Sequence, residues 1–528
     1  MKKTIIFLLI ILVIACFFRL WHLESIPPGL YPDEAMNAND ALQALKTKDF
    51  KVFYPENNGR EGLYINLIAF SFAIFGVGIW SIKIVSAVIG ILTVLGIYLL
   101  TKELFRKHKD SEVIALLSSF FLATSFWHAN FSRIGFRGIF TPFILVFSLY
   151  FLFKGLRKKS YLNLAISGII FGIGFHTYIS FRLAVFLIIG ILILWLLDYL
   201  KEKKFKKYFL LVSCFLFFIF VVALPIGIYF LSNPDHFIGR ATGVSIFAQP
   251  NFLKAFGASL AKHLAMFNFY GDANWRHNIS ESPILFWPVG ILFLIGLIIS
   301  IKESIFSFRK NYLLSITYLT LIGWWLTLLL PGALTAEGIP HSLRCIGAIP
   351  PVFIFAALGA NFIYQIIKPR LKVKFLIRVL IIAGFILLAF FFTLAQYQRY
   401  FIAWGENAEV KGAFTQRYNE IGRILNSLPK DTQKYVIVNE PGVPVPLPCG
   451  IPMPAQTIMF MENAEFGSLQ STYLEAEKLD KIEVNNQKTV IVLMKYDKGL
   501  TEEITNRFPE GESGFQMKNG IWAYFINF

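Results

Sequence analysis

The sequence predicts an α-helical polytopic membrane protein of about 11 transmembrane helices that ends in a small extracytoplasmic α/β domain. Three observations predict it. Of 528 residues, 56% are hydrophobic and only 16% charged, a balance outside the range of soluble globular domains. Apolar runs of bilayer-spanning length recur down the first three quarters of the chain. After Tyr400 the composition turns ordinary. Disorder is excluded by 56 Phe and 10 Trp, and a disulfide scaffold by only four Cys in so long a chain.

The first run, residues 4–18, follows Met1-Lys2-Lys3. Within it Val13-Ile14-Ala15-Cys16 resembles a lipoprotein processing site, but Phe17-Phe18 continue the apolar stretch and Arg19-Leu20-Trp21 close it as at a membrane interface. It therefore reads as an uncleaved span. Further runs lie at 81–101, 112–128, 138–155, 161–177, 183–200, 208–231, 284–301, 312–330, 346–367 and 376–395. Threaded in zigzag, they leave every dense basic cluster on one side: Lys102/Arg106/Lys107/Lys109, Lys154/Arg157/Lys158/Lys159, Lys201/Lys203/Lys204/Lys206/Lys207, Lys302/Arg309/Lys310 and Lys368/Arg370/Lys372/Lys374. By the positive-inside rule that side is cytoplasmic, with the N-terminus inside and the C-terminal tail outside, as in a plasma (inner) membrane. Counting 62–80 as a span would invert every later cluster, so this segment is expected along the outer leaflet.

The charge supports the same layout. The tail from Gln396 holds 13 Lys+Arg against 16 Asp+Glu, whereas the part before it holds 37 against 17. The excess of +20 thus sits in short loops between spans, and no nucleic-acid partner is needed to explain it. Residues 1–400 read as the membrane domain, with a first outer loop at 22–80, and 401–528 as the soluble domain. In the tail, 408–428 has helical periodicity, while 435–438, 489–494 and 522–526 read as buried strands. The Pro-rich run 441–448 reads as a stiff extended loop.

The spans carry almost no ionisable residues away from their ends, which weakens an ion-coupled transporter. The conspicuous polar residues fall in the outer loops. In the first, Pro32-Asp33-Glu34 opens a helix that sets Asp33, Asn37 and Asp40 on one face. A carboxylate there is favoured in its ionised form, suiting a metal ligand or a charged base, and equally a plain surface-helix terminus. Later outer loops read Trp127 to Arg137, with Arg133 and Arg137 on one helical face; His176-Thr177-Tyr178-Ile179-Ser180-Phe181-Arg182; Gly271 to Asn278; and Glu337 to Arg344. Arg on the outer side runs against the charge bias. Headgroup snorkelling explains one such residue, whereas four loops that each bring Arg beside His, Tyr or Asn fit a phosphate site at the membrane surface.

An Asp-Glu pair in the first outer loop, a multi-span body and an extracytoplasmic tail together resemble the GT-C glycosyltransferases. Ser132-Arg133-Ile134-Gly135-Phe136-Arg137 and Pro340-His341-Ser342-Leu343-Arg344 are similar to strings of their polyprenyl-phosphate-sugar-dependent prokaryotic branch, related to protein O-mannosyltransferases and aminoarabinose transferases. The resemblance covers about residues 1–400. It implies Asp33 as catalytic carboxylate with Glu34 beside it, and Arg60, Glu61, Arg133, Arg137, His176, Tyr178, Arg182, His341 and Arg344 on the substrates. It also implies an inverting transfer of a sugar, a hexose such as mannose, from a polyprenyl-phosphate donor to a lipid, glycan or protein acceptor, with membrane lipids around the spans. A divalent metal is compatible with it, although Gly59 stands where the aminoarabinose branch has a metal-binding Glu, and Glu61 follows two residues later. A lipid-linked-sugar flippase would use the outer Arg clusters but leaves Asp33-Glu34 without a role. An oligosaccharyltransferase would need Trp-Trp-Asp at the head of the soluble domain, and here Trp324-Trp325 lie inside a span.

Overall fold

The computed structural model describes residues 2–243, 245–368, 375–445, 450–513 and 520–527. Arg370, Lys372 and Lys374 of the last basic cluster, and Pro446, Leu447 and Pro448 of the Pro-rich run, lie outside the described residues. In chain order the structure runs α1 (Lys2–Leu20), α2 (Pro32–Thr47), the short hairpin β1 (Phe53–Tyr54) and β2 (Arg60–Glu61), α3 (Gly62–Phe75), α4 (Ile79–Leu104), α5 (Ser111–Thr124) and α6 (Phe126–Phe131). There follow α7 (Phe140–Lys158), α8 (Tyr161–Gly174), α9 (Ala184–Lys201), α10 (Phe205–Ser232), α11 (Pro234–Thr242) and α12 (Phe252–Ala265). The last membrane-type helices are α13 (Trp287–Lys310), α14 (Tyr312–Ala333), α15 (Ile349–Ile367) and α16 (Phe375–Tyr397), which continues as a π-helix over Gln398–Trp404. The tail holds α17 (Ala408–Ala413), α18 (Gln416–Ser427), β3 (Gln433–Val438), α19 (Gln456–Phe466), β4 (Ser471–Glu475), β5 (Thr489–Leu493), α20 (Lys498–Arg507) and β6 (Ala523–Ile526).

Among the described residues nine helical stretches are long and apolar enough to cross a membrane, built on α1, α4, α7, α9, α10, α13, α14, α15 and α16. The two fewer than expected are the runs at 112–128 and 161–177. Both form helices of 14 residues, or about 21 Å against a hydrocarbon core of about 30 Å. The first is cut at Ser125, whose extended backbone ends α5 while its side chain accepts the His128 N–H and starts α6. The apolar segment after Glu61 also forms a 14-residue helix, α3.

The chain divides into two compact units, Met1–Leu23 with Ser86–Gly405, and Glu24–Val85 with Glu406–Phe528. In the first unit two buried arginines close helix ends. Carbonyls in the last turn of a helix have no intrahelical partner; those of Leu122 and Ala123, at the end of α5, accept from the Arg19 guanidinium at 3.2 and 2.8 Å. In return Arg133 donates to the carbonyls of Phe18, Trp21 and His22 at and beyond the end of α1. Positive charge at a helix C-terminus also suits the dipole.

Helices α13 and α15 approach through glycine. A Cβ on Gly296 would meet the Phe355 carbonyl oxygen, and one on Gly359 the Leu292 carbonyl. Small residues permit such backbone approach where lipid supplies no hydrophobic drive between helices. Gly359→Val is therefore expected to destabilise by about 1–3 kcal/mol or more, as overpacking does. Thermal unfolding of the detergent-solubilised protein measures it, and an unchanged midpoint would contradict the packing described.

In the second unit the tail forms a four-stranded sheet in the order β4-β3-β5-β6, parallel except for β6. Its strands alternate sides. Val436, Val438, Val490, Val492 and Ala523 pack with Tyr418, Ile421 and Leu425 of α18 and Ile458 of α19. Tyr435, Ile437, Ile491, Leu493 and Tyr524 pack with Ile504 of α20 and Phe508. The tail is thus a helix–sheet–helix sandwich, with β3 and β5 covered on both faces and correspondingly apolar. The helical periodicity at 408–428 resolves into two helices, α17 and α18, broken at Thr415 with φ +51°.

The segment from Glu24 into α2 is fixed by the helices of that sandwich. Leu30 N–H donates to Asn419 Oδ1 at 2.9 Å, and Thr457 Oγ1 donates to the Leu30 carbonyl at 3.0 Å. Gly29 has φ +84°, and a Cβ there would lie 2.5 Å from the Phe414 carbonyl oxygen. Both the backbone angle and the close approach require glycine. Lys83, fully buried near the start of α4, donates to the Pro27 carbonyl at 3.1 Å.

Candidate functional site

In the second unit the polar residues of the first loop gather on α2 and the β1–β2 hairpin. Pro32 occupies the first helical turn, where its fixed φ and missing N–H cost nothing. Asp33 and Glu34 follow it in that turn but have different surroundings. Glu34 is fully buried, and its Oε2 accepts the Tyr31 N–H at 3.3 Å, closing the helix start. Asp33 stays partly exposed, and its Oδ1 accepts from the Asn57 amide.

One and two turns further along α2, Asn37 and Asp40 meet Arg60 from β2. The guanidinium, 1% exposed, donates to Asn37 Oδ1 at 3.0 Å and pairs with Asp40 Oδ2 at 2.5 Å. Its Nε reaches the Glu56 carbonyl at 3.3 Å, and Tyr54 lies under it at 6.0 Å. Burial pushes the Asp40 carboxyl upward, with Arg60 pulling the other way. Glu61, buried, stands at the start of α3. The structure thus brings Asp33, Glu34, Arg60 and Glu61 into one unit, with Arg60 holding the hairpin to α2.

The first unit collects other expected residues. Arg133 and Arg137 do not share a helical face: α6 ends at Phe131, a turn follows, and Arg137 opens a separate 3-10 turn, Arg137–Ile139. Ser125 and the turn at 132–136 interrupt the helix that the spacing suggests. Arg133 is buried and caps α1 as described, over the Tyr400 and Phe401 rings at 5.7 and 5.0 Å. Arg137 lies 5.6 Å from the Tyr178 ring centroid. His176 Nε2 donates to the Val222 carbonyl at 2.9 Å. Arg182 turns elsewhere, donating to the Phe237 carbonyl at 2.8 Å between the Phe230 and Phe237 rings.

Three loops of this unit converge. Gly138, beside Arg137, packs on Leu343 and Ile346. Trp127 Nε1 donates to the Ser342 carbonyl at 3.3 Å, and Asn130 to the Arg276 carbonyl at 2.7 Å. At their junction Asp272 is a hub: its Oδ2 accepts from Ser342 N and Oγ at 2.8 and 2.9 Å and lies 3.0 Å from His277 Nδ1. Burial works to raise the Asp272 carboxyl, but His277 and the N–H donors win and hold it well below the usual carboxylate range. His341 is pushed well down by burial, with His277 and Arg344 adding to it, and is neutral at pH 7. Arg344 donates to Thr335 Oγ1 at 2.6 Å and to the Glu337 carbonyl at 2.8 Å.

Asp272 and His277 are visible in the sequence only as members of a polar loop, because a contact across 70 residues, such as that from Asp272 to Ser342, has no local signature. Among the described residues, Asp272, His277 and His341 are close enough to share a cation, and neither Asp33, Glu34 nor Glu61 belongs to that group.

Residues 63–229 match the family model described as dolichyl-phosphate-mannose-protein mannosyltransferase. No curated protein matches the chain in sequence. Among solved structures, the chain is similar to ArnT from Cupriavidus metallidurans bound to undecaprenyl phosphate, at TM-score 0.55 and 14% identity over 99% of this chain and 98% of that one. The apo form of the same protein gives 0.54 and 12% with the same coverage. The oligosaccharyltransferase AglB from Archaeoglobus fulgidus gives 0.48 and 15%, over 82% of this chain and 62% of that one. The end-to-end likeness to ArnT is one of fold, and residues 63–229 are in addition similar to the mannosyltransferase family model.

Proposed function

We propose that the protein transfers a single sugar, a hexose such as mannose, from a polyprenyl-phosphate donor to a lipid, glycan or protein acceptor on the extracytoplasmic face, with inversion. The observation that carries this reading is Asp33, a partly exposed carboxylate in the first turn of α2, oriented by Asn57 within a helix end otherwise buried and tied down. The matched mannosyltransferase segment and the undecaprenyl phosphate in the ArnT structure support the donor class.

In the reaction the acceptor hydroxyl oxygen forms a bond to the anomeric carbon as the bond from that carbon to the phosphate oxygen breaks. The acceptor proton passes to Asp33, and the polyprenyl phosphate leaves with the electron pair. The sugar ring carries oxocarbenium-like charge at the transition state, and cationic groups on the departing phosphate lower the barrier. The resemblance implies that role for Arg137 and Arg344. Arg133 is assigned to the end of α1 instead, because its guanidinium is buried on backbone carbonyls.

The test supplies the protein in liposomes with polyprenyl-phosphate-linked labelled hexoses and a membrane extract. Label moving from the lipid to an acceptor, with inverted linkage, is the expected result. Label that crosses the bilayer still attached to its lipid would replace transfer by translocation.

A further inference from the structure

We propose that Asp272, His277 and His341 form a binding site for one divalent transition-metal ion of the zinc class. One ligand atom from each of the three lies within 4.8 Å of the other two. Nδ1 of His277 and of His341 stand 3.0 and 4.0 Å from the same oxygen of Asp272. Ligand atoms of a tetrahedral zinc site stand about 3.3 Å apart, given bonds of about 2.0–2.1 Å, so small side-chain movements close the site.

The surroundings are those of a held ligand set. A carboxylate has about four acceptor positions. Asp272 uses three of them, on Ser342 N–H and O–H and, through Oδ1, on the Asn274 N–H at 2.9 Å, and the remaining close neighbour is His277 Nδ1 at 3.0 Å. These bonds fix its plane while leaving capacity for a cation, as outer-shell donors do at metal sites. His341 is anchored through its own backbone N–H, which donates to His263 Nε2 at 3.1 Å. Its Nδ1 accepts the Arg344 N–H at 3.4 Å, a contact long enough for a cation to displace. The Phe131 ring lies 5.6 Å from the His277 ring, and the two imidazoles stand 4.8 Å apart. Nε2 of neither imidazole has a hydrogen-bond partner among the described residues. Two imidazoles and one carboxylate favour zinc over calcium or magnesium, which prefer oxygen alone. Three protein ligands leave a fourth position for water or an anionic oxygen.

The competing reading is a hydrogen-bonded knot that only joins the loops at 266–286 and 335–345, and the two differ in what they bind. The full-length protein in detergent, stripped with chelator and dialysed against zinc, is expected to retain one equivalent by elemental analysis and to gain thermal stability. His277→Gln and His341→Gln should each weaken zinc binding by at least about 100-fold. Much less than one equivalent in the wild type, or equal binding by both variants, overturns the site. Should the variants fail to fold, cobalt in the wild type decides: tetrahedral visible bands support the site, and their absence overturns it. Neither readout depends on the donor or acceptor proposed above.

Discussion

Asp33→Asn is expected to lower sugar transfer by about 10²–10⁴-fold, the contribution typical of a positioned general base. Asn has nearly the same shape, and its side-chain oxygen can still accept from Asn57, so the first turn of α2 should persist. What is lost is the ability to take a proton. The neighbouring carboxylate provides the contrast. Glu34 is buried and accepts the Tyr31 N–H at the helix start, so Glu34→Ala, which removes that acceptor, should act through stability, by about 1 kcal/mol as for a lost cap, with a much smaller effect on rate. Single-turnover release of label from the lipid donor, measured beside thermal midpoints, separates the two. Equal rates for wild type and Asp33→Asn would remove Asp33 as the base.

Much of the fold is legible in the sequence because membrane spans announce themselves. A run of about 20 apolar residues has few other uses, and among the described residues nine helical stretches long and apolar enough to cross a membrane stand where such runs occur. The shortfall at 112–128 and 161–177 has a local cause: apolar composition continues past the helix end, while Ser125 and the turn after Gly174 stop the helix itself. In the tail, β3, β5 and β6 are legible because they are apolar. Strand β4 is not, since Ser471-Thr472-Tyr473-Leu474-Glu475 is an edge strand in which Ser471 and Tyr473 donate to Glu462.

The candidate site is legible in its residue types and less so in its partners. Pro32-Asp33-Glu34 marks a helix start by composition alone. Nothing local says that Arg60 closes on Asn37 and Asp40, or that Asp272 gathers Ser342, His277 and His341. Such pairings depend on tertiary closure of loops. The same ambiguity affects the loop arginines, where position in the sequence does not distinguish a phosphate ligand from the helix cap that Arg133 provides.

Arg60→Met is expected to cost about 3 kcal/mol of stability in the second unit, near the lower end of the range for breaking a buried pair from one side. The Arg60 side chain is 1% exposed but Asp40 is 24% exposed, so water recovers part of the lost charge compensation. The loss also frees the hairpin from Asn37 and removes the bond to the Glu56 carbonyl inside the hairpin turn. Adding Asp40→Leu should restore part of the stability, because an apolar pair of similar volume leaves no stranded charge. A double-mutant cycle on thermal or denaturant unfolding measures the coupling. If Arg60 instead binds substrate, Arg60→Met would weaken donor binding with little change in stability, and Asp40→Leu would rescue nothing. The buried pair in α2 and β2 favours the first outcome: the arginine keeps the hairpin, and with it Asn57, in position beside Asp33.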